Sequence, residues 1–216
     1  GAIYLDKNLL DTPVVANGQV FKETLRMARK AKENVILSIT AFTENSEEAA
    51  DKVYKNEKII NALEKDITDY LVELSQLDLP EDDIKLFSST YHVINDIERI
   101  GDHAENIADL AIEKMSKGIH LGDTAKSELK LIVDKTVEAI DIAIESYSNK
   151  NINAPKELEI VEEEIDRLEK GFRENNIKRL NEKKCSAASS VVFLDLISNL
   201  ERIGDHANNI GNYRKK

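Results

Sequence analysis

Oxygen-bearing side chains spaced four residues apart are the features of this sequence most suited to chemistry. Four of these pairs lie in segments that recur along the chain: Glu57 with Asn61, Glu98 with Asp102, Glu162 with Asp166, and Glu201 with Asp205. Residues four apart project from the same face of an α-helix. Carboxylate and amide oxygens are ligands of hard cations, so each pair could bind one metal ion or help to bridge two. The alternative is that these acids form ordinary ion pairs on helix surfaces.

Two of the pairs lie in a ten-residue motif that occurs twice. The segment from Glu98 reads ERIGDHAENI, and the segment from Glu201 reads ERIGDHANNI, so nine of ten positions are identical. A weaker echo relates EKIINALE, which starts at Glu57, to EEEIDRLE, which starts at Glu162. Two echoes in the same order indicate an internal duplication of a unit of roughly 100 residues.

The acids of the motif continue an apolar stripe. With Glu98 at 0° on a helical wheel, Asp102 falls at about 40°, while Phe87 and Tyr91 fall at about −20° and 20°. Buried carboxylates are costly unless they are paired or bind a cation, and Arg99 lies about 100° away from Glu98. This placement favours metal binding. A second apolar stripe lies near 180–240° on the same wheel and consists of Ile100, Ala104 and Ile107. Either stripe could therefore face the core.

Glycine and histidine also recur in the motif. Gly101 and Gly204 lie inside predicted helices, where each glycine costs about 1 kcal/mol relative to alanine. Close helix packing and close approach of a metal cluster would each explain them. His103 and His206 fall about 140° from the first glutamate of each motif, so we expect them at the surface or at an interface rather than among the ligands.

The composition predicts an all-α fold. Glycine and proline together make 11 of 216 residues, about half the usual share, and tryptophan is absent. Apolar residues recur at helical spacing between breaks near positions 45–46, 79–80, 118–122, 149–155 and 183–186. We therefore predict six long antiparallel helices in two tandem three-helix bundles. The predicted divisions are a lead-in at 1–13, a first bundle at 14–119 and a second at 120–216.

Charge and motif content exclude several classes of function. The formal net charge of −11 argues against a nucleic-acid partner. No apolar run is long enough to span a membrane, and the single cysteine, Cys185, suits a reducing cytoplasmic compartment. The sequence holds neither a glycine-rich phosphate loop nor a nucleophile elbow, so we predict that the protein is not an enzyme.

The two ERIGD segments, followed by Asn106 and Asn209, resemble the repeated signature of the PhoU family of phosphate-uptake regulators. The resemblance implies that the acidic motifs bind multinuclear clusters of iron or another hard cation (Mn, Mg or Ca), in preference to zinc. Asn61 departs from the second half, which has Asp166, so the first site would hold fewer ions or none. The ligand set implied is Glu57, Asn61, Glu98, Asp102, Glu162, Asp166, Glu201 and Asp205.

The lead-in YLDKNLLDTP, from Tyr4 to Pro13 and followed by Ala16 and Gly18, is similar to the junction between the membrane and cytoplasmic parts of bacterial sodium/phosphate cotransporters. This resemblance predicts a metal-binding cytoplasmic domain, tethered to the inner face of the membrane, that modulates phosphate uptake. Its partner would be the membrane-embedded carrier portion of the same polypeptide, and the sequence at hand would be a trimmed part.

Other functions are left open. One is a stand-alone PhoU-type signalling adaptor, which acts on a histidine kinase and an ATP-driven (ABC) phosphate transporter. A carboxylate-bridged metalloenzyme and a purely structural helical spacer are the others, and a homodimer is also left open.

Overall fold

The computed structural model describes residues 1–10, 12–149 and 151–213, and in these ranges every long element is an α-helix. Asp11, part of the lead-in resemblance, lies outside the described residues. No helix within these ranges is long and apolar enough to cross a membrane. The helices are α1 (Pro13–Glu44), α2 (Glu47–Ser75), α3 (Glu81–Ser116), α4 (Asp123–Asn149), α5 (Ala154–Asn181) and α6 (Ala187–Tyr213), and a short 3-10 helix (Lys7–Leu9) precedes them.

Local sequence signals set the first helix ends. Helix α1 ends at Asn45, whose φ of 52° lies in the left-handed region that asparagine tolerates. The Ser46 hydroxyl then caps α2 by accepting a hydrogen bond from the Ala49 N–H at 3.1 Å. Such a short connection makes α1 and α2 antiparallel neighbours. Helix α3 begins after Pro80 with three acids in its first turn, where they complement the helix dipole.

The helices form two three-helix bundles. Helices α1, α2 and α3 pack on one another, and α4, α5 and α6 do the same. The bundles are joined mainly where α3 packs against α6, with a smaller contact between α1 and α4. The predicted all-α fold of two tandem bundles is therefore confirmed. Fully buried aliphatic residues fill both interiors, among them Ile60, Leu63, Ile97, Ile107, Ile165, Leu200 and Ile203.

The repeated histidines meet where the two bundles join. The rings of His103 and His206 stack with their centroids 5.6 Å apart. Nδ1 of His103 lies 2.9 Å from the Asn199 side-chain oxygen, and Nδ1 of His206 lies 2.9 Å from a carboxylate oxygen of Asp96. Asp96 and Asn199 occupy equivalent positions of the two repeats, so the interface has an approximate two-fold arrangement with one charged and one neutral partner.

Gly204 provides a test of this packing. A Cβ there would lie 2.9 Å from Cδ1 of the fully buried Ile165, whereas one at Gly171 would meet nothing within 4 Å. Both glycines are inside helices, so alanine gains about 0.5–1 kcal/mol of helix propensity at each. Overpacking a core costs about 1–3 kcal/mol. We expect Gly171→Ala to raise the free energy of unfolding in urea and Gly204→Ala to lower it. Equal stabilisation by both substitutions would contradict the close α5–α6 packing.

Candidate metal centre

The first candidate centre lies between α2 and α3. Glu57, on α2, is only 4% exposed, and both of its carboxylate oxygens are buried without a hydrogen-bond partner. On α3, Glu98, Asp102 and Glu105 are half-buried along one face. These acids surround Glu57 closely enough to act on its ionisation. An unsatisfied buried carboxylate is costly, so its presence among other acids calls for a bound proton or a cation.

Gly101 makes room for Glu57. A Cβ at Gly101 would lie 2.8 Å from Oε2 of Glu57, closer than two such atoms can come without a shift. The glycine inside α3 is therefore matched to an acid on α2. Its counterpart, Gly204, instead accommodates the apolar side chain of Ile165 on α5. Gly101 thus faces an acid of the predicted ligand set, whereas Gly204 faces an apolar side chain.

Burial and mutual repulsion disfavour ionisation of the first group of acids. Burial, followed by the hydrogen bond that a protonated Glu57 can make with Asp102 and then by the charge of Asp102, raises the pKa of Glu57 to about 9. Burial, again with Asp102 as the main charged neighbour, raises the pKa of Glu98 to about 7. Metal-free protein at neutral pH therefore keeps protons in this centre that a bound cation would displace.

The second candidate centre lies between α5 and α6. One ligand atom from each of Glu162, Asp166 and Asp205 lies within 4.8 Å of the others, a spacing that could hold a metal ion. Glu201 is half-buried, and the nearby charge of Asp166 acts on it. A polar cavity of about 590 Å³ adjoins this centre and is lined in part by Glu162 and Asn208. In each bundle, the candidate centre thus lies between the second and third helices.

The second group of acids is also held partly protonated. Burial raises the pKa of Glu162 to about 7, with Asp205 and Asp166 as its charged neighbours. Burial is likewise the main cause that raises the pKa of Asp205 to about 6. The direction is the same in both halves, and the larger effect falls on the more deeply buried Glu57.

Within the described ranges, none of the eight predicted ligands forms an ion pair with lysine or arginine. Arg99 and Arg202, which follow the first glutamate of each motif, are exposed. A donor set of carboxylate oxygens suits Fe, Mn, Mg or Ca. The uncompensated acids and the unpartnered Glu57 oxygens therefore fit a bound hard cation better than a salt-bridge network.

Among the described residues, the structure brings ligand atoms of Glu162, Asp166 and Asp205 within 4.8 Å of one another. The other predicted acids lie on the facing helices of their own bundle, and both Asn61 and Asp166 are exposed. The apolar stripe of α3 that the helical wheel left undecided is buried as well, so this helix is covered on two sides. Sequence reasoning left Glu105 and Asn208 out of the predicted ligand set, because neither lies four residues from another member of that set. The feature of the sequence that could have drawn attention to them is that they are the one mismatch between the two copies of the motif.

Comparisons with known proteins agree with the duplicated architecture. The PhoU domain family matches residues 24–111 and again residues 129–213. A Clostridium acetobutylicum protein named phosphate-specific transport system accessory protein PhoU homolog is 26% identical over 194 residues, which cover 89% of this chain and 87% of that protein. A Xylella fastidiosa protein of the same name is 27% identical over 190 residues, which cover 87% of this chain and 78% of the relative.

Solved structures share the fold. PhoU from Pseudomonas aeruginosa superimposes with a TM-score of 0.86 at 22% identity, covering 91% of this chain and 93% of that one. The phosphate transport system regulatory protein PhoU from Streptococcus pneumoniae gives a TM-score of 0.83 at 17% identity, with 94% of both chains covered. Because the PhoU domain accounts for most of the sequence in two consecutive copies, the chain belongs to the PhoU family.

Proposed function

We propose that the protein is a metal-binding regulator of phosphate transport that acts as an accessory protein and not as an enzyme. The proposal is carried by family membership combined with acids at corresponding places in both bundles. Glu162, Asp166 and Asp205 are spaced to hold a metal ion, and Glu57 is buried among other acids. The acids lie at helix–helix seams, where a bound cation would act on the packing of the bundle.

The accessory role is favoured over the role of a cotransporter domain. The matched relatives are named as accessory proteins of phosphate-specific transport systems, and the aligned segments cover 87% and 78% of their lengths. That coverage leaves too little of either relative for a membrane-embedded carrier. The lead-in that resembles a cotransporter junction is a short segment, whereas the likeness to accessory proteins extends over nearly the whole chain.

The acids of each centre would hold one or more hard cations between two helices. In the first half, Glu57 on α2 would share the cation with Glu98 and Asp102 on α3. A bound cation supplies the positive charge that allows these carboxylates to lie together ionised. The residues would then fix α2 against α3 and α5 against α6, and so define the surface that each bundle presents to a partner.

The partners we propose are a phosphate transporter and a phosphate-responsive histidine kinase. The protein would bind them at the cytoplasmic face of the membrane. The names of the relatives support the transporter directly, because they assign those proteins to phosphate-specific transport systems. The kinase follows from the adaptor function that the sequence left open.

A Glu57→Gln substitution separates stability from metal binding. In chelator the variant should be more stable than the unmodified protein by at least about 1 kcal/mol, or about 2–4 °C in Tm, because the Gln amide can donate to Asp102. Saturating Mn²⁺ should stabilise the unmodified protein by about 2.7 kcal/mol per site at a hundredfold excess over Kd, and the variant by less. Thermal melts with EDTA and with Mn²⁺ measure both effects.

Asp69→Asn, at an exposed position of the same helix, is the matched control and should change neither quantity. If Glu57→Gln gained as much stability from Mn²⁺ as the unmodified protein, Glu57 would not be a ligand.

The raised pKa of Glu57 also predicts how stability depends on pH. Between its ordinary pKa of 4.5 and its folded pKa of about 9, the folded chain holds a proton that the unfolded chain has released. Stability of the metal-free protein should therefore fall as pH rises from 7 to 8.5, less steeply in Glu57→Gln. Burial lowers the pKa of His103, which acts in the opposite direction but only below its ordinary value of 6.5. Urea unfolding in EDTA at several pH values in this range measures the free energy of unfolding of both proteins. If that free energy changed equally with pH in both, Glu57 would be normally ionised in the folded protein.

The regulatory role is tested in cells that lack their own copy of the gene. Restoring the unmodified gene should make phosphate uptake respond again to external phosphate, and a Glu57→Gln/Glu162→Gln version should restore the response only in part. Radiolabelled phosphate uptake, with immunoblots to match protein levels, measures this. Uptake that responds normally without the gene would contradict the proposed function.

A further inference from the structure

At two pairs of equivalent positions, one half of the chain has a carboxylate where the other half has an amide. On α2 and α5, Asn61 of the first half corresponds to Asp166 of the second. On α3 and α6, Glu105 of the first half corresponds to Asn208 of the second, and this is the one mismatch within the ten-residue motif. The first pair places the acid in the second half and the second pair places it in the first half. Each half therefore has one acid over these positions.

In the second half, position 208 lies beside the second candidate centre. The side-chain oxygen of Asn208 is buried and has no hydrogen-bond partner. Asn208 also lines the polar cavity that adjoins this centre, together with Glu162. Asp166 supplies its carboxylate to the same centre from α5, within 4.8 Å of Glu162 and Asp205.

In the first half, the equivalent α3 position carries the acid. Glu105 follows Asp102 by three residues and Glu98 by seven, so all three lie on one face of α3. Its side chain is half-buried, and its charge reaches both Glu57 and Asp102. The next acid along, Asp109, is exposed and accepts a hydrogen bond from the Tyr54 hydroxyl at 2.6 Å.

We propose that Glu105 is a ligand of the first metal centre and replaces the carboxylate that Asn61 lacks. The inference rests on the proposed metal binding and deepens it. The first centre then has Glu57, Glu98, Asp102 and Glu105, and the second has Glu162, Asp166, Glu201 and Asp205. Each has four carboxylates for a hard cation, so the first centre does not bind fewer ions because of Asn61. The acid has moved from one helix of the seam to the other.

The exchange is tested in the full chain with its second centre disabled by Glu162→Gln and Asp205→Asn. In this background Mn²⁺ affinity, measured by electron paramagnetic resonance of the free ion, reports the first centre. Adding Glu105→Gln should weaken Mn²⁺ binding by about tenfold or more, since even residues that only support ligands change metal affinity by about 10–100-fold. Adding Asn61→Asp to Glu105→Gln should restore the affinity to within a few fold, because Asp then occupies the position that Asp166 holds in the other half.

Asp109→Asn is the matched control, one helical turn beyond Glu105, and should leave Mn²⁺ affinity unchanged. Circular dichroism verifies that each variant remains helical. Unaltered affinity in Glu105→Gln, or no restoration by Asn61→Asp, overturns the proposed exchange while metal binding itself stands. Absence of Mn²⁺ binding in the unmodified protein overturns the proposed function and the exchange together.

Discussion

Repulsion between carboxylates at the helix seams is the constraint on which the rest of this structure depends. Glu57 is almost completely buried, its oxygens have no hydrogen-bond partner, and its nearest charged neighbours are other acids. Interactions between charges in a poorly solvated seam are several times stronger than in water. The seam therefore needs either bound protons or a cation. Protons neutralise each acid separately, whereas a cation also attracts acids on two helices toward one point, which makes the packing of the bundle dependent on its ligand.

The repeated motif combines three roles in little more than two helical turns. Its acids face the neighbouring helix of the same bundle, its isoleucine and alanine side chains are buried, and its histidine meets the other bundle. Asp102 and His103 are consecutive residues, as are Asp205 and His206. A shift of α3 against α2 would therefore also move the histidine contact with α6. This arrangement gives the two candidate centres a short mechanical connection through packed helices rather than through a long chain of contacts.

Much of the fold could be predicted from the sequence because helix breaks and apolar spacing are local properties. The predicted breaks near 45–46 and 79–80 fall where α2 and α3 begin, and the duplicated motif predicted two equivalent bundles. The helical wheel gave the angle of each side chain but not which helix it would meet, so it could not decide between the two stripes of α3. The four-residue rule likewise found Glu98 and Asp102 but passed over Glu105, whose importance depends on the α2 residue opposite it.

The duplication did not leave two identical centres. Equal numbers of acids lie in unequal surroundings, since Glu57 is nearly fully buried whereas Glu162 is half-buried beside a polar cavity. Burial accordingly raises the pKa of Glu57 to about 9 and that of Glu162 only to about 7. A cation entering the first centre must displace a more tightly held proton, but once bound it is screened less by water. The asymmetric partners of the histidines, Asp96 and Asn199, lie between these two environments. One sequence repeat has thus produced two groups of acids at corresponding places that differ in burial and in how far their pKa values are raised.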